Sequence, residues 1–244
     1  ATDVHRIGPL WLGRYGTRGF VTYRDLDGAE GAAVDDLIGA AVAHFAAVAE
    51  VQAFEWKTRG HDAPADLATH LARAGLVADD PETVMIGDAS LLAADLRPPE
   101  GTLLRRAGDG AELAADVAAV GVLYREVFGP DSPDLDAQLI AQLSEPDPAV
   151  ELWLAEIEGA VVCAGRLDRV RGTRFAGLFG GATRADQRHR GIYRALTAAR
   201  AASALRQGAS LVYAECTVLS RPILERSGLV AVTTTTPWTW RRSG

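Results

Sequence analysis

A chain of 244 residues exceeds the about 100–150 usual for one domain, so one large or two modest units are expected. With 48% hydrophobic and 23% charged residues the composition is globular, and its apolar stretches are too short and interrupted for a membrane span. Net charge is −7 without a long basic run, which argues against nonspecific binding to nucleic acid and favours cationic partners such as amines.

In chain order, the first readable element is an alanine-rich helix from about Gly31 to Val51, followed by a strand-like segment, Gln52–Lys57. A short helix then closes at Gly75. Pro98 and Pro99, within Leu96–Gly101, forbid regular pairing and mark a linker, so the expected division is residues 1–100 and 101–244. Thr102–Arg106 reads as a strand. Gly110–Phe128 reads as a helix from the spacing of Leu113, Val117, Val120, Leu123 and Val127, and Gly129-Pro130 stops it. A second helix runs from about Leu135 to Leu143. Val150–Ile157 and Ala160–Leu167 form a hairpin about Glu158-Gly159, and Arg174–Ala182 is a third strand, irregular at Gly180-Gly181. A helix from Gly191 to Arg206 carries apolar Ile192, Leu196, Ala199 and Leu205 and is capped by Gly208. A strand Ser210–Cys216, a short helix Ser220–Ser227 and a last strand to Trp240 complete the order β-α-α-β-β-β-α-β-α-β. The expected class is α+β or mixed α/β, a mixed central sheet flanked by helices.

Two cysteines, Cys163 and Cys216, are too sparse for a disulfide framework or zinc site, and the histidines lack metal-ligand spacing. Ala1–Arg6 has no secretory signal pattern. The reading is a cytoplasmic protein without a metal, not membrane-bound, and a monomer or homodimer.

The octet Leu71–Ala78 aligns with Leu224–Ala231 at six of eight positions. Each closes a short helix at glycine, leads into a strand, and follows a long helix and a strand. This reads as an internal repeat of one helix-strand-helix-strand half.

The most informative stretch is Gln187-Arg188-His189-Arg190-Gly191-Ile192-Tyr193, between a glycine-rich strand and an amphipathic helix. A helix start leaves amide hydrogens unpaired and carries partial positive charge, which suits an anion. Gly191 lets the backbone approach a phosphate, and the forked guanidiniums of Arg188 and Arg190 match its oxygens. Alone, such a loop equally fits a surface cap. The corresponding Leu26–Gly31 segment in the first half carries acids in place of arginines and should repel a diphosphate.

The stretch resembles the R/Q-x-x-G-x-G/A signature of GNAT N-acetyltransferases, with Arg188 and Gly191 in its first two positions. Ser220–Leu229 is similar to that family's second cofactor-side segment, and the element order from Thr102 to Trp240 is the family's order. The resemblance implies the GNAT acyl-CoA N-acyltransferase fold, in tandem with a degenerate amino-terminal half. It implies acetyl-CoA as cosubstrate in a cleft where two central strands splay. Its diphosphate would meet the amides of Arg188, His189, Arg190, Gly191, Ile192 and Tyr193. Its pantetheine would pair near Ala182 and Thr183, with Ser220 and Ile223 on the cofactor side. A primary amine, of a small molecule, would attack the thioester directly.

Two positions depart from the pattern. Tyr193 replaces the usual glycine or alanine. Leu224 stands where many members carry the tyrosine that protonates the departing thiolate, and leucine cannot donate. Ser220 is the alternative acid, against a plain N-cap role. Glu215 is the positional choice for a base, sharing a strand face with Tyr213 and Leu211, against an ordinary surface carboxylate. Glu55, His61 and Asp62 occupy comparable places in the first half. Trp238 and Trp240 fit core packing better than an acceptor wall. The alternatives to an enzyme are a non-catalytic acyl-CoA-binding module and a protein using the fold for assembly alone.

Overall fold

The computed structural model describes residues 3–94, 97–129 and 136–242. The elements in order are β1 (Asp3–Ile7), β2 (Leu10–Tyr15), β3 (Arg18–Thr22), α1 (Ala32–Ala46), β4 (Ala53–Arg59), α2 (Leu67–Arg73) and β5 (Val77–Ala78). Then follow β6 (Glu82–Asp88), α3 (Ala89–Ala93), β7 (Thr102–Arg106), α4 (Gly110–Phe128), α5 (Asp136–Leu143), β8 (Val150–Ile157) and β9 (Ala160–Arg169). β10 (Phe175–Thr183), α6 (Ile192–Arg206), β11 (Leu211–Cys216), α7 (Arg221–Arg226) and β12 (Val230–Arg241) complete the chain. No described helix is long and apolar enough to cross a membrane.

Contacts divide the chain into two compact units, Ala1–Thr83 with Thr233–Gly244, and Val84–Val232. Pro98 and Pro99 are irregular, as expected, and Leu96 lies outside the described residues. The division nevertheless falls elsewhere than at residue 100, because β6 and α3 pack with the second unit and the end of β12 with the first.

In the first unit β1, β2 and β3 form an antiparallel meander. α1 then crosses over so that β4 lies parallel to β3, and β12 pairs antiparallel with β4 and with β5. Alternation explains β2, where Leu10 and Leu12 are buried while Trp11 is 46% exposed. On α1, Val34, Ile38, Ala41 and Phe45 recur at helical spacing and are buried. They join Phe54, Trp56, Leu71 and Leu76 in one core, each large side chain contributing about 1.5–3 kcal/mol. The Phe45 ring crosses β3 at Gly19, where an added Cβ would lie 2.4 Å from it.

In the second unit the strand order is β6-β11-β10-β9-β8-β7. β7 to β10 are successively antiparallel, and α6 carries the chain over to β11, parallel to β10. One face buries Leu113, Val117, Val120 and Leu123 of α4 and Leu139 of α5 against Leu152, Leu154, Ala164 and Ala182. The other buries Ala201 and Ala204 of α6, with Met85, Leu92 and Leu224, against Leu167, Leu178 and Val212.

Several expectations need adjustment. α1 ends at Ala46 rather than Val51, because the chain turns there and the Val51 amide bonds to Val48 O. The second helix of the second half is described from Asp136, so Leu135 lies outside the described residues. Leu205, placed on the apolar stripe of α6, is 37% exposed, whereas Arg200 on the same helix is 1% exposed. β1–β3, β6 and α3 are additions to the sequence reading.

The two matching octets end their helices alike. Gly75 and Gly228 have φ of +85° and +92°. Leu76 N–H bonds to Leu71 O at 3.1 Å and Gly75 N–H to Ala72 O at 3.0 Å, while Leu229 N–H bonds to Leu224 O at 3.1 Å and Gly228 N–H to Glu225 O at 3.0 Å. Both are Schellman closures, with the leucine pair (71 and 76, or 224 and 229) buried beneath. Leu224 is therefore held in the core by the turn that ends its helix.

Candidate functional site

The central feature of the second unit is a parting of parallel strands. β10 and β11 are in register only from Phe175↔Leu211 to Gly177↔Tyr213. β10 continues to Thr183 against β9, with a bulge between Phe179 and Ala182. Gly180 takes φ +58° in that bulge, its carbonyl accepts the Tyr124 hydroxyl at 2.6 Å, and its missing Cβ would lie 2.4 Å from that oxygen. Beyond Gly177 the edge of β10 turned towards β11 has no strand in register among the described residues, so its backbone groups can pair with an extended polar chain.

The connection from β10 to α6 is the candidate anion site. A 3-10 turn, Ala185–Gln187, leads to Arg188, then His189 at φ +62° and Gly191 at φ +81°. Ala195 donates to Gly191 O at 3.0 Å, the start of the helical bonding pattern. The preceding amides belong to the first turn, which a helix leaves without internal acceptors. The two left-handed residues, His189 and Gly191, stand immediately before that turn.

Side chains hold this loop in place. Arg188 Nε donates to Thr183 O at 3.2 Å, and Arg190 donates to Gln187 Oε1. Arg184 grips Asp186 at 2.7 and 3.0 Å, which holds that carboxyl down to about 2. Arg188, His189 and Arg190 are exposed, so the two guanidiniums face solvent.

The predicted cofactor-side residues separate into two kinds. Arg188, His189, Arg190 and Gly191 form the loop, whereas Ile192 is 1% exposed and anchors the helix start in the core. Tyr193 folds back onto the bulge, where a Cβ on Gly181 would meet its ring at 2.7 Å. Ala182 is buried beneath α4, and the Thr183 hydroxyl pairs with Cys163 Sγ at 3.1 Å. Burial pushes the Cys163 thiol up to about 11, against the opposing Thr183 hydrogen bond and Arg200 charge, so it stays protonated.

Ser220 occupies the N-cap position of α7 without a side-chain capping bond, and its hydroxyl donates to Thr217 O at 3.4 Å. Ile223 is half-buried. Burial along β11 alternates, with Val212, Ala214 and Cys216 inside and Leu211, Tyr213 and Glu215 half-buried on the other face, as strand geometry predicts.

Arg200 is the residue sequence reasoning overlooks. Its guanidinium donates to Arg166 O at 3.0 Å, Phe179 O at 3.3 Å and the Thr197 hydroxyl at 3.0 Å. It also lies 5.9 Å from the Tyr193 ring centroid. It thereby ties α6 to β9 and β10. The available signal is its spacing of four and eight from Leu196 and Ile192, which puts a charge on the buried stripe.

The first unit has a comparable parting, and it is bridged. β3 and β4 are in register from Arg18↔Ala53 to Val21↔Trp56. Just beyond, Arg59 donates to Tyr23 O at 2.7 Å, and the Tyr23 hydroxyl donates to Asp62 at 2.5 Å. Asp62 also accepts the Arg59 amide at 2.7 Å. Burial, then Asp62, pushes the Tyr23 hydroxyl well above its ordinary range. His61 bonds to the Thr233 hydroxyl at 2.9 Å, and Glu55 lies 3.7 Å from Lys57. Trp238 is buried and Trp240 stacks on Phe54 at 5.4 Å, so both pack the core.

No family model matches the sequence, and no curated protein does. The fold is similar to solved structures. A GCN5-related N-acetyltransferase from Kribbella flavida superposes with TM-score 0.70 at 18% identity, over 99% of this chain and 90% of that one. One from Sphaerobacter thermophilus gives 0.68 at 16%, over 97% and 78%. A tandem GNAT protein from the clavulanic acid biosynthesis pathway gives 0.61 at 14%, over 96% and 79%. The chain has the GNAT N-acetyltransferase fold, a mixed sheet flanked by helices.

Proposed function

We propose that the second unit transfers an acetyl group from acetyl-CoA to a primary amine of a small molecule, by direct attack. The observation that carries this reading is the parting of β10 from β11 beside a glycine-and-arginine helix start. The amides from Arg188 to Tyr193 would take the diphosphate, and the open edge of β10 near Ala182 and Thr183 would pair with the pantetheine amides. The bound thioester supplies an activated acyl carbon. The chain's part is to position the two reactants and place backbone donors near the carbonyl. Glu215 is the candidate to accept the amine's proton, and Ser220 to return one to sulfur. The reading includes a cytoplasmic monomer or homodimer without a metal.

The test is thiol release from acetyl-CoA over a broad panel of primary amines. Amine-dependent release with matching N-acetylated product is expected, and none with any amine would overturn the enzyme reading. One observation favours a second reading, a non-catalytic acyl-CoA-binding module: Leu224 is 1% exposed and cannot donate a proton. That module would bind acetyl-CoA without turnover.

We further propose that the first unit is a degenerate half of the same fold that binds no cofactor. The matching Schellman closures and the parallel β3–α1–β4 crossover support the relationship. Asp25, Asp27 and Glu30 before α1, with the Arg59 bridge, oppose a diphosphate there. Titration should therefore give one acetyl-CoA per chain. A stoichiometry of two would refute the closed first unit.

A further inference from the structure

The bulge of β10 is held from outside the sheet. Up to Phe179 the strand is set by its neighbours. Asp168, Gly177 and Tyr213 are in register across β9, β10 and β11, and Phe179 fills the gap left by Gly177 and meets Tyr213 edge-on at 5.5 Å. Gly180 and Gly181 follow, with no register partner on β9 or β11 among the described residues. Both are exposed, whereas Leu178 and Ala182 to either side are buried, so a ligand can reach their backbone.

Two side chains take the carbonyls there, from opposite faces of the sheet. Arg200 of α6 donates to Phe179 O at 3.3 Å, and Tyr124 of α4 donates to Gly180 O at 2.6 Å. Both peptides are trans, so each N–H points away from its own carbonyl. Fixing the two carbonyls therefore fixes the directions of the Gly180 and Gly181 amides.

We propose that Tyr124 is a positioning residue for acyl transfer: its hydroxyl holds the Gly180–Gly181 peptide so that the Gly181 amide polarises the thioester carbonyl. This rests on the acetyltransferase reading, which puts the diphosphate at the loop after β10 and the pantetheine near Ala182 and Thr183. The acyl end then falls one step further back along the strand, at the bulge. An amide oriented beforehand needs no reorganisation when charge develops on the carbonyl oxygen. Tyr124 suits the task. Its ring is seated in the α4 cluster and meets Phe128 at 5.6 Å, so the hydroxyl has a fixed origin. Gly180, at φ +58°, admits it, since an added Cβ would lie 2.4 Å from the hydroxyl oxygen. Burial raises the Tyr124 hydroxyl above its ordinary range, against the charges of Arg166 and Arg200, so it stays a donor.

The experiment is infrared difference spectroscopy of acetyl-CoA, isotopically labelled at its carbonyl carbon, bound to the full chain and to Tyr124→Phe. Calorimetry gives the acetyl-CoA affinity of each and reports that the variant's site is intact. In the parent the bound carbonyl stretch should lie below that of free acetyl-CoA. Tyr124→Phe should lose about half of that shift or more, while its affinity falls by no more than about tenfold, the range of one hydrogen bond. An unshifted carbonyl in the parent, or an equal shift in the variant, would overturn the role of Tyr124 and leave the cofactor site standing. Loss of binding in the variant alone would overturn it too, because Tyr124 would then build the whole site rather than orient one group. No acetyl-CoA binding by the parent would remove the acetyltransferase reading and this role together.

Discussion

Replacing Arg200 by alanine should lower the unfolding free energy of the second unit by about 3 kcal/mol, the sum of a buried cavity and lost charge-assisted hydrogen bonds. The side chain is 1% exposed and reaches two carbonyls on neighbouring strands and the Thr197 hydroxyl. Gly165 makes the reach possible, because a Cβ there would lie 2.5 Å from the guanidinium. Among the described residues, no carboxylate makes a salt bridge to this guanidinium, so its burial carries a standing desolvation cost. Arg200→Met, which refills most of the volume without the charge, should therefore cost about 1 kcal/mol or less. Urea unfolding of both variants checks the argument. An alanine variant as stable as the parent would mean that the α6-to-sheet clamp contributes nothing.

Gly191→Glu should abolish measurable acetyl-CoA binding in calorimetry while leaving the chain folded. Gly191 sits at φ +81°, where a side chain costs about 1–2 kcal/mol. An acid at a helix start is otherwise favourable, which offsets part of that strain. The added carboxylate would, however, stand where the first-turn amides should meet a diphosphate. Gly191→Ala separates the two effects, since it carries the strain without the charge, and should weaken binding by about tenfold at most. Parent-like affinity in the glutamate variant would remove the diphosphate from this loop.

The sequence was most legible where period and punctuation agree. α4 runs from Gly110 to Phe128 and β8 from Val150 to Ile157, as their patterns predict, because long amphipathic spacing and glycine turns leave few alternatives. β1 escapes such reading because none of its five residues is buried, and β3 because only Gly19 and Val21 are. The loop from Arg188 to Gly191 is contiguous and therefore visible as a motif. The Asp168–Gly177–Tyr213 row is not, since it depends on the registers of three strands joined by a hairpin and a helix, and register is set by tertiary packing. Leu224 illustrates a third case. Its place in a cofactor-side segment suggests chemistry, yet its turn also demands an apolar residue beneath the helix end.

The last strand has a consequence for synthesis of the chain. Residues 235–241 of β12 pair with β4 along their length, from Thr235↔Arg59 to Arg241↔Ala53, and with β5 at Trp238 and Thr239. Arg242 follows, donating to Val51 O at 2.9 Å, Val48 O at 2.8 Å and Ala46 O at 3.1 Å, which caps the end of α1. The first unit thus waits for residues that the chain reaches only after the whole of the second. Domains ordinarily mature in the order they leave the ribosome. Here residues 1–83 emerge with an open sheet edge and an uncapped helix, and the second unit can complete its own core up to Val232 before the final strand arrives.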